Sequence, residues 1–142
     1  MKKLLCSLFA LSAVSTAMAQ EVNIKLLGTS DIHGRVVPWS YGADVEDKSG
    51  SYAQIATYVK DVRKNNKNVV LVDVGDAIQD NQVDVFAKDK KYYKDHPIPK
   101  VLNEMKYDIF VLGNHEFNFG MKALDEILKD IKAKKLTANF YH

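Results

Sequence analysis

Three short apolar runs constrain this chain most, because each ends in polar residues of the same kind. Val22 to Leu27 leads through Gly28 into Asp31-Ile32-His33-Gly34; Asn68 to Val74 leads into Gly75-Asp76; and Asp108 to Leu112 leads into Gly113-Asn114-His115-Glu116. In the first, Val22, Ile24 and Leu26 alternate with Asn23 and Lys25, which is strand periodicity. The second is nearly continuous Val and Leu, the mark of a strand covered on both faces.

Helical patterns separate the runs. Ser51 and Gln54 have capping-box spacing. Tyr52, Ile55, Ala56, Val59 and Val62 then recur on one face, and the helix is expected to end near Asn65-Asn66. Val83, Val85 and Phe86 point to one short helix, and Pro97 and Pro99 suit the start of another with Val101, Leu102 and Met105 inward. Ala123, Leu124, Ile127, Leu128 and Ile131 mark an amphipathic helix, and Leu136 to Asn139 starts a further strand. Alternating strands and helices over 142 residues predict one α/β domain with a largely parallel sheet. Strands joined by right-handed crossovers point the same way. The loops after their C-terminal ends therefore open onto one edge, where ligands bind in such sheets. Asp31, His33, Asp76, Asn114 and His115 are predicted to meet there.

The first nineteen residues read as a secretory signal rather than as fold. Met1-Lys2-Lys3 is a basic start, Leu4 to Val14 is apolar, and Ala17-Met18-Ala19 has the small-x-small pattern that places cleavage after Ala19. The apolar run is too short to span a bilayer comfortably. Removing Lys2 and Lys3 with it takes the formal net charge from +2 to zero, which gives no ground for a nucleic-acid or membrane partner held by bulk charge. The sole cysteine, Cys6, lies in the same segment, so residues 20–142 can form no disulfide and no thiolate metal site. The segment from Arg35 to Gly50 shows no period and reads as a long loop. Its Trp39 and Tyr41 are expected to pack against the body rather than to wall a substrate site. The lysine-rich run from Lys88 to Lys94 reads as a solvated face.

Carboxylate, imidazole and amide oxygen ligands suit Mn²⁺, Fe²⁺, Zn²⁺ or Co²⁺. Two ions roughly 3.5–4 Å apart can clamp a phosphate and activate a water. Taken singly each piece is unspecific: a Gly-Asp pair ends many strands, Asn114 could cap a turn, and His115 could be an ordinary hydrogen-bonded histidine. In this order, at three strand ends, the set is specific.

Asp31-x-His33, Gly75-Asp76 and Gly113-Asn114-His115-Glu116 together resemble the first three sequence blocks of the calcineurin-like metallophosphoesterases. The stretch from Gly113 to Gly120, with the exported start, is similar to the bacterial 5'-nucleotidase branch, which includes the periplasmic 2',3'-cyclic-nucleotide 2'-phosphodiesterase/3'-nucleotidases. The resemblance implies a layered sandwich with helices flanking a largely parallel sheet, of which residues 20–142 would form the N-terminal part. It implies two divalent metal ions, a nucleotide as substrate, and a periplasmic location. Asp31 and His33 would bind the first metal, Asp76 would bridge both, and Asn114 would bind the second. His115 would be catalytic and contact the phosphate, and Glu116 would be structural. Asn118 stands where many 5'-nucleotidases have an aspartate paired with the catalytic histidine; it can orient His115 but supplies no charge to favour the imidazolium. The later histidine blocks of the family are absent, and His142 is an ordinary terminal residue, so the chain is expected to be inactive by itself. The other readings are a related enzyme acting on a different phosphoester or UDP-sugar, and a non-catalytic remnant of the same fold.

Overall fold

A computed structural model describes residues 21–138. The signal segment and His142 lie outside the described residues. Four strands, β1 (Lys25–Thr29), β4 (Val69–Asp73), β5 (Ile109–Val111) and β6 (Lys134–Leu136), form one sheet in that order, and every pairing is parallel. A two-stranded antiparallel hairpin, β2 (Trp39–Ser40) with β3 (Val45–Glu46), occupies the long loop after β1. The helices are α1 (Tyr52–Asn65), α2 (Asp84–Lys88), α3 (Pro97–Glu104) and α4 (Met121–Lys129), with 3-10 turns at Lys90–Asp95 and His115–Phe117.

Because the sheet order follows the chain order, each crossover steps in the same direction, and right-handed crossovers then place all helices on one face. The core confirms this placement. Leu71 of β4 and Phe110 of β5 are fully buried with Tyr52 and Val59 of α1, Ile98 and Leu102 of α3, and Leu124 and Ile127 of α4. The alternate strand positions face away from the helices: Leu26 is 72% exposed, Val74 49% and Leu136 48%. The expectation that β4 is covered on both faces is therefore corrected. Its unbroken Val and Leu sequence supplies an apolar second face, on which no helix packs among the described residues. Strand β1 begins at Lys25 rather than Val22, and β6 at Lys134 rather than Leu136, since backbone pairing with the neighbouring strand, not apolar pattern, sets those ends.

Local chemistry explains the helix ends. Ser51 is extended at φ −157°, and its hydroxyl accepts the Gln54 N–H at 3.4 Å, so α1 starts where the capping spacing places it. At the other end Arg63 reaches across to donate to the carbonyls of Met105 (2.6 Å) and Lys106 (2.8 Å), satisfying groups left free at the end of α3. Lys135 donates in the same way to Leu128 (3.2 Å) and Ile131 (2.7 Å) at the end of α4. In the lysine-rich run, Lys88 pairs with Asp84 and Lys91 with Asp89 while both side chains stay 64% exposed, which is the solvated face expected. Among the described residues no helix is long and apolar enough to cross a membrane.

His96 caps α3 from inside the core. It is 1% exposed, accepts the Ile98 N–H on Nδ1 (3.4 Å), and shares a hydrogen bond between Nε2 and the Ile78 carbonyl (3.2 Å). Burial pushes its pKa down to about 4 from an ordinary 6.5. Below pH 6.5 the unfolded chain takes up a proton that the folded chain refuses, so stability falls as the pH drops from 6.5 towards 4. The expected slope is up to about 1.4 kcal/mol per pH unit. Urea denaturation across that range should show it in the wild type, and His96→Gln should flatten it. Separately, Phe110→Ala should cost about 3–5 kcal/mol in the same assay.

Candidate metal centre

The loops that follow β1, β4 and β5 do not diverge at the sheet edge. Backbone hydrogen bonds continue between the first two past the strand ends: Asp31 N–H to Gly75 O (3.1 Å), His33 N–H to Asp76 O (2.9 Å) and Gly34 N–H to Ala77 O (2.9 Å). The second and third loops meet backbone to backbone. Gly75 is at φ +102°, and a Cβ there would lie 2.1 Å from the Gly113 nitrogen. A Cβ on Gly113 would lie 2.3 Å from Asp76 Oδ1. Only glycine fits at either place, which gives the two Gly residues of the sequence blocks a steric reason.

These loops bring four of the five predicted residues together. One ligand atom each from Asp31, His33 and Asp76 lies within 4.8 Å of the other two. His115 stands beside them, its ring 5.2 Å from that of His33 at 72°, and its backbone N–H donates to Asp76 Oδ1 at 2.8 Å. Asn114, exposed, sits between Gly113 and His115 in the same loop. Asp31 (φ 56°), His33 (φ 50°) and Asp76 (φ 57°) are all left-handed, a conformation that non-glycine residues adopt rarely and that clusters at functional sites.

The donor set suits a hard or borderline cation. Asp31 and Asp76 supply carboxylates, and among the described residues no lysine or arginine forms an ion pair with either. Asp80 adds a third carboxylate 3.9 Å from His33 Nδ1. His33 Nδ1 is buried and has no hydrogen-bond partner. A buried ring nitrogen without a partner is costly whichever tautomer is present. The residues therefore fit a divalent ion.

Sequence reasoning missed Asp73, Gln79 and the partners through which Glu116 acts. Glu116, fully buried, accepts four backbone N–H groups: Asp76 (2.8 Å) and Gly113 (2.7 Å) on Oε2, Ala77 (2.7 Å) and Ile78 (3.3 Å) on Oε1. It ties the β4 loop to the β5 loop, which is a structural role of the kind the motif implied. Asp73, also fully buried, accepts from Thr29 Oγ1 (2.6 Å), the Tyr52 hydroxyl (3.2 Å) and the Gly75 N–H (3.0 Å). Burial raises its pKa above the ordinary value, and the same burial, with Asp73 alongside, pushes Tyr107 up to about 12. Only its place two residues before Gly75 could have marked it. Gln79 places Oε1 3.3 Å from His115 Nδ1, and the Asn118 amide nitrogen lies 3.0 Å from the same atom.

Trp39 and Tyr41 correct an expectation. Rather than packing against the body, they are 40% and 60% exposed and line a cavity of about 260 Å³ with Arg35, Val83 and Phe86. Strands of two residues bury too little to pull those rings inward.

Residues 24–141 match the family model described as calcineurin-like phosphoesterase. The chain belongs to this family. The trifunctional nucleotide phosphoesterase protein YfkN of Bacillus subtilis is 38% identical over 129 residues, 85% of this phosphoesterase chain and 9% of that protein. The 2',3'-cyclic-nucleotide 2'-phosphodiesterase/3'-nucleotidase of Haemophilus influenzae is 34% identical over 138 residues, 94% of the chain and 21% of that protein. The crystal structure of calcineurin-like phosphoesterase YfkN from Bacillus subtilis has a TM-score of 0.73 at 37% identity, covering 80% of this chain and 36% of that one. The phosphoesterase chain thus spans about a tenth to a fifth of the length of these curated relatives.

Glu116→Gln should disturb the centre without emptying it. An amide nitrogen would face two N–H donors in place of an acceptor, at a cost of roughly 1–3 kcal/mol. Denaturant midpoints should fall by that amount, and titration of the folded variant should show Mn²⁺ binding weakened by about 10–100-fold.

Proposed function

We propose that the gene product is an exported, metal-dependent phosphoester hydrolase acting on nucleotides, a 2',3'-cyclic-nucleotide 2'-phosphodiesterase/3'-nucleotidase or a 5'-nucleotidase. The observation that carries the reading is the meeting of Asp31, His33 and Asp76 ligand atoms within 4.8 Å at one sheet edge, with His115 alongside. The activities of the relatives support a nucleotide substrate, and the apolar start at residues 1–19 supports export.

In this reading Asp31 and His33 would hold one divalent ion and Asn114 a second, with Asp76 contributing to the pair. Bound there, they would supply Lewis acidity towards the phosphate and lower the pKa of a water. The reaction adds water across one ester bond: a new P–O bond forms, the P–O bond to the sugar oxygen breaks, and a proton from the water ends on the leaving oxygen. His115 binds the phosphate and stabilises the charge that builds on it, an electrostatic contribution made through a hydrogen bond. Glu116 and the paired loop backbones keep Asp76 and His115 in register, so the site needs little rearrangement.

The test is a panel of 2',3'-cyclic AMP, 3'-AMP and 5'-AMP on the full-length gene product with Mn²⁺, Zn²⁺ or Co²⁺. Hydrolysis of at least one nucleotide should appear, vanish with chelator and return with metal. His115→Ala should lower kcat by about 10²–10⁴-fold. Metal-independent turnover, or full activity in His115→Ala, would contradict the assignment.

A further inference from the structure

Two amides face one atom of the His115 ring. Gln79 Oε1 lies 3.3 Å from Nδ1 and Asn118 Nδ2 lies 3.0 Å from the same Nδ1, while neither engages Nε2. The two amides come from different loops: Gln79 follows β4 three residues after Asp76, and Asn118 follows β5 three residues after His115. Both loops are fixed, because Glu116 binds the N–H groups of Asp76, Ala77 and Ile78 on one side and of Gly113 on the other.

A ring nitrogen carries either a hydrogen or a lone pair, never both. A bare Nδ1 accepts from the Asn118 amide nitrogen. An Nδ1–H donates to Gln79 Oε1, the acceptor that faces it while Asn118 turns its NH₂ to the ring. The two amides are therefore complementary partners and not duplicates, and between them the ring keeps one orientation whichever way its hydrogens are placed. Asn118 was legible as an orienting residue. Gln79 was not, since its role depends on contact with a loop 36 positions away.

We propose that Gln79 is a positioning residue for His115, holding the ring at Nδ1 from the β4 loop so that Nε2 is presented to the phosphate. Gln79 supplies the acceptor that an asparagine at 118, with its NH₂ turned to the ring, does not. The inference rests on the reading of His115 as the phosphate-contacting residue. It makes a prediction that a merely structural glutamine would not. An ionised aspartate at 118 is acceptor-only, so Asn118→Asp would do the work of Gln79 from the other side of the same atom.

The experiment is steady-state kinetics of the full-length gene product with saturating Mn²⁺, accompanied by thermal melts and Mn²⁺ titration. Gln79→Ala should lower kcat by about tenfold or more, through misorientation of the ring. KM, melting temperature and Mn²⁺ affinity should stay near wild type. Gln79→Glu, which keeps an acceptor, should retain most of the rate, and Asn118→Asp introduced into Gln79→Ala should restore kcat. Wild-type kcat in Gln79→Ala beside an inactive His115→Ala would overturn the role of Gln79 alone. A double variant no faster than Gln79→Ala would overturn it as well. Full activity in His115→Ala would overturn both this inference and the assignment of His115 on which it rests.

Discussion

The sheet edge depends on one buried carboxylate, that of Glu116. Glu116 is fully buried and ionised groups are costly to bury unless hydrogen bonds replace the lost water. Here four backbone N–H groups do so, two on each oxygen. The N–H groups belong to loops whose strands lie next to each other in the sheet. The carboxylate thereby turns two separate strand ends into one rigid surface. Glu116 holds the Asp76 backbone N–H, and the His115 backbone N–H holds the Asp76 carboxylate.

The same economy appears on the other flank. The β1 loop borrows the β4 loop as its hydrogen-bond partner through Asp31, His33 and Gly34, which lets the left-handed turns at Asp31, His33 and Asp76 persist. Such conformations each cost of order 1–3 kcal/mol and survive only where surroundings over-determine them. Below them the Asp73, Thr29, Tyr52 and Tyr107 cluster anchors the end of β4, so the helix-packed core and the polar edge are joined through buried hydrogen bonds.

Much of this was legible in the sequence, for physical reasons that differ by residue. The helix at Tyr52–Asn65 was readable because its cap and its apolar stripe are both local signals. The convergence of Asp31, His33 and Asp76 was readable because parallel strands put their following loops on one edge. The one-sided cover of β4 was not, since an apolar second face looks the same in sequence whether or not a layer rests on it. Nor was the service of Glu116 to Ile78 or of Gln79 to His115, each of which needs two loops docked at ångström precision. Trp39 and Tyr41 were misjudged because aromatic character argues for burial, while the hairpin that carries them is too short to provide it.

In the proposed function these edge residues grip divalent cations. Anomalous diffraction at the zinc edge from crystals of the full-length gene product grown with Zn²⁺ tests it most directly. The account predicts a peak at coordination distance, about 2.0–2.2 Å, from side-chain atoms of Asp31, His33 and Asp76 together. Zinc found only at surface sites, with Asp31, His33 and Asp76 unligated, would contradict it.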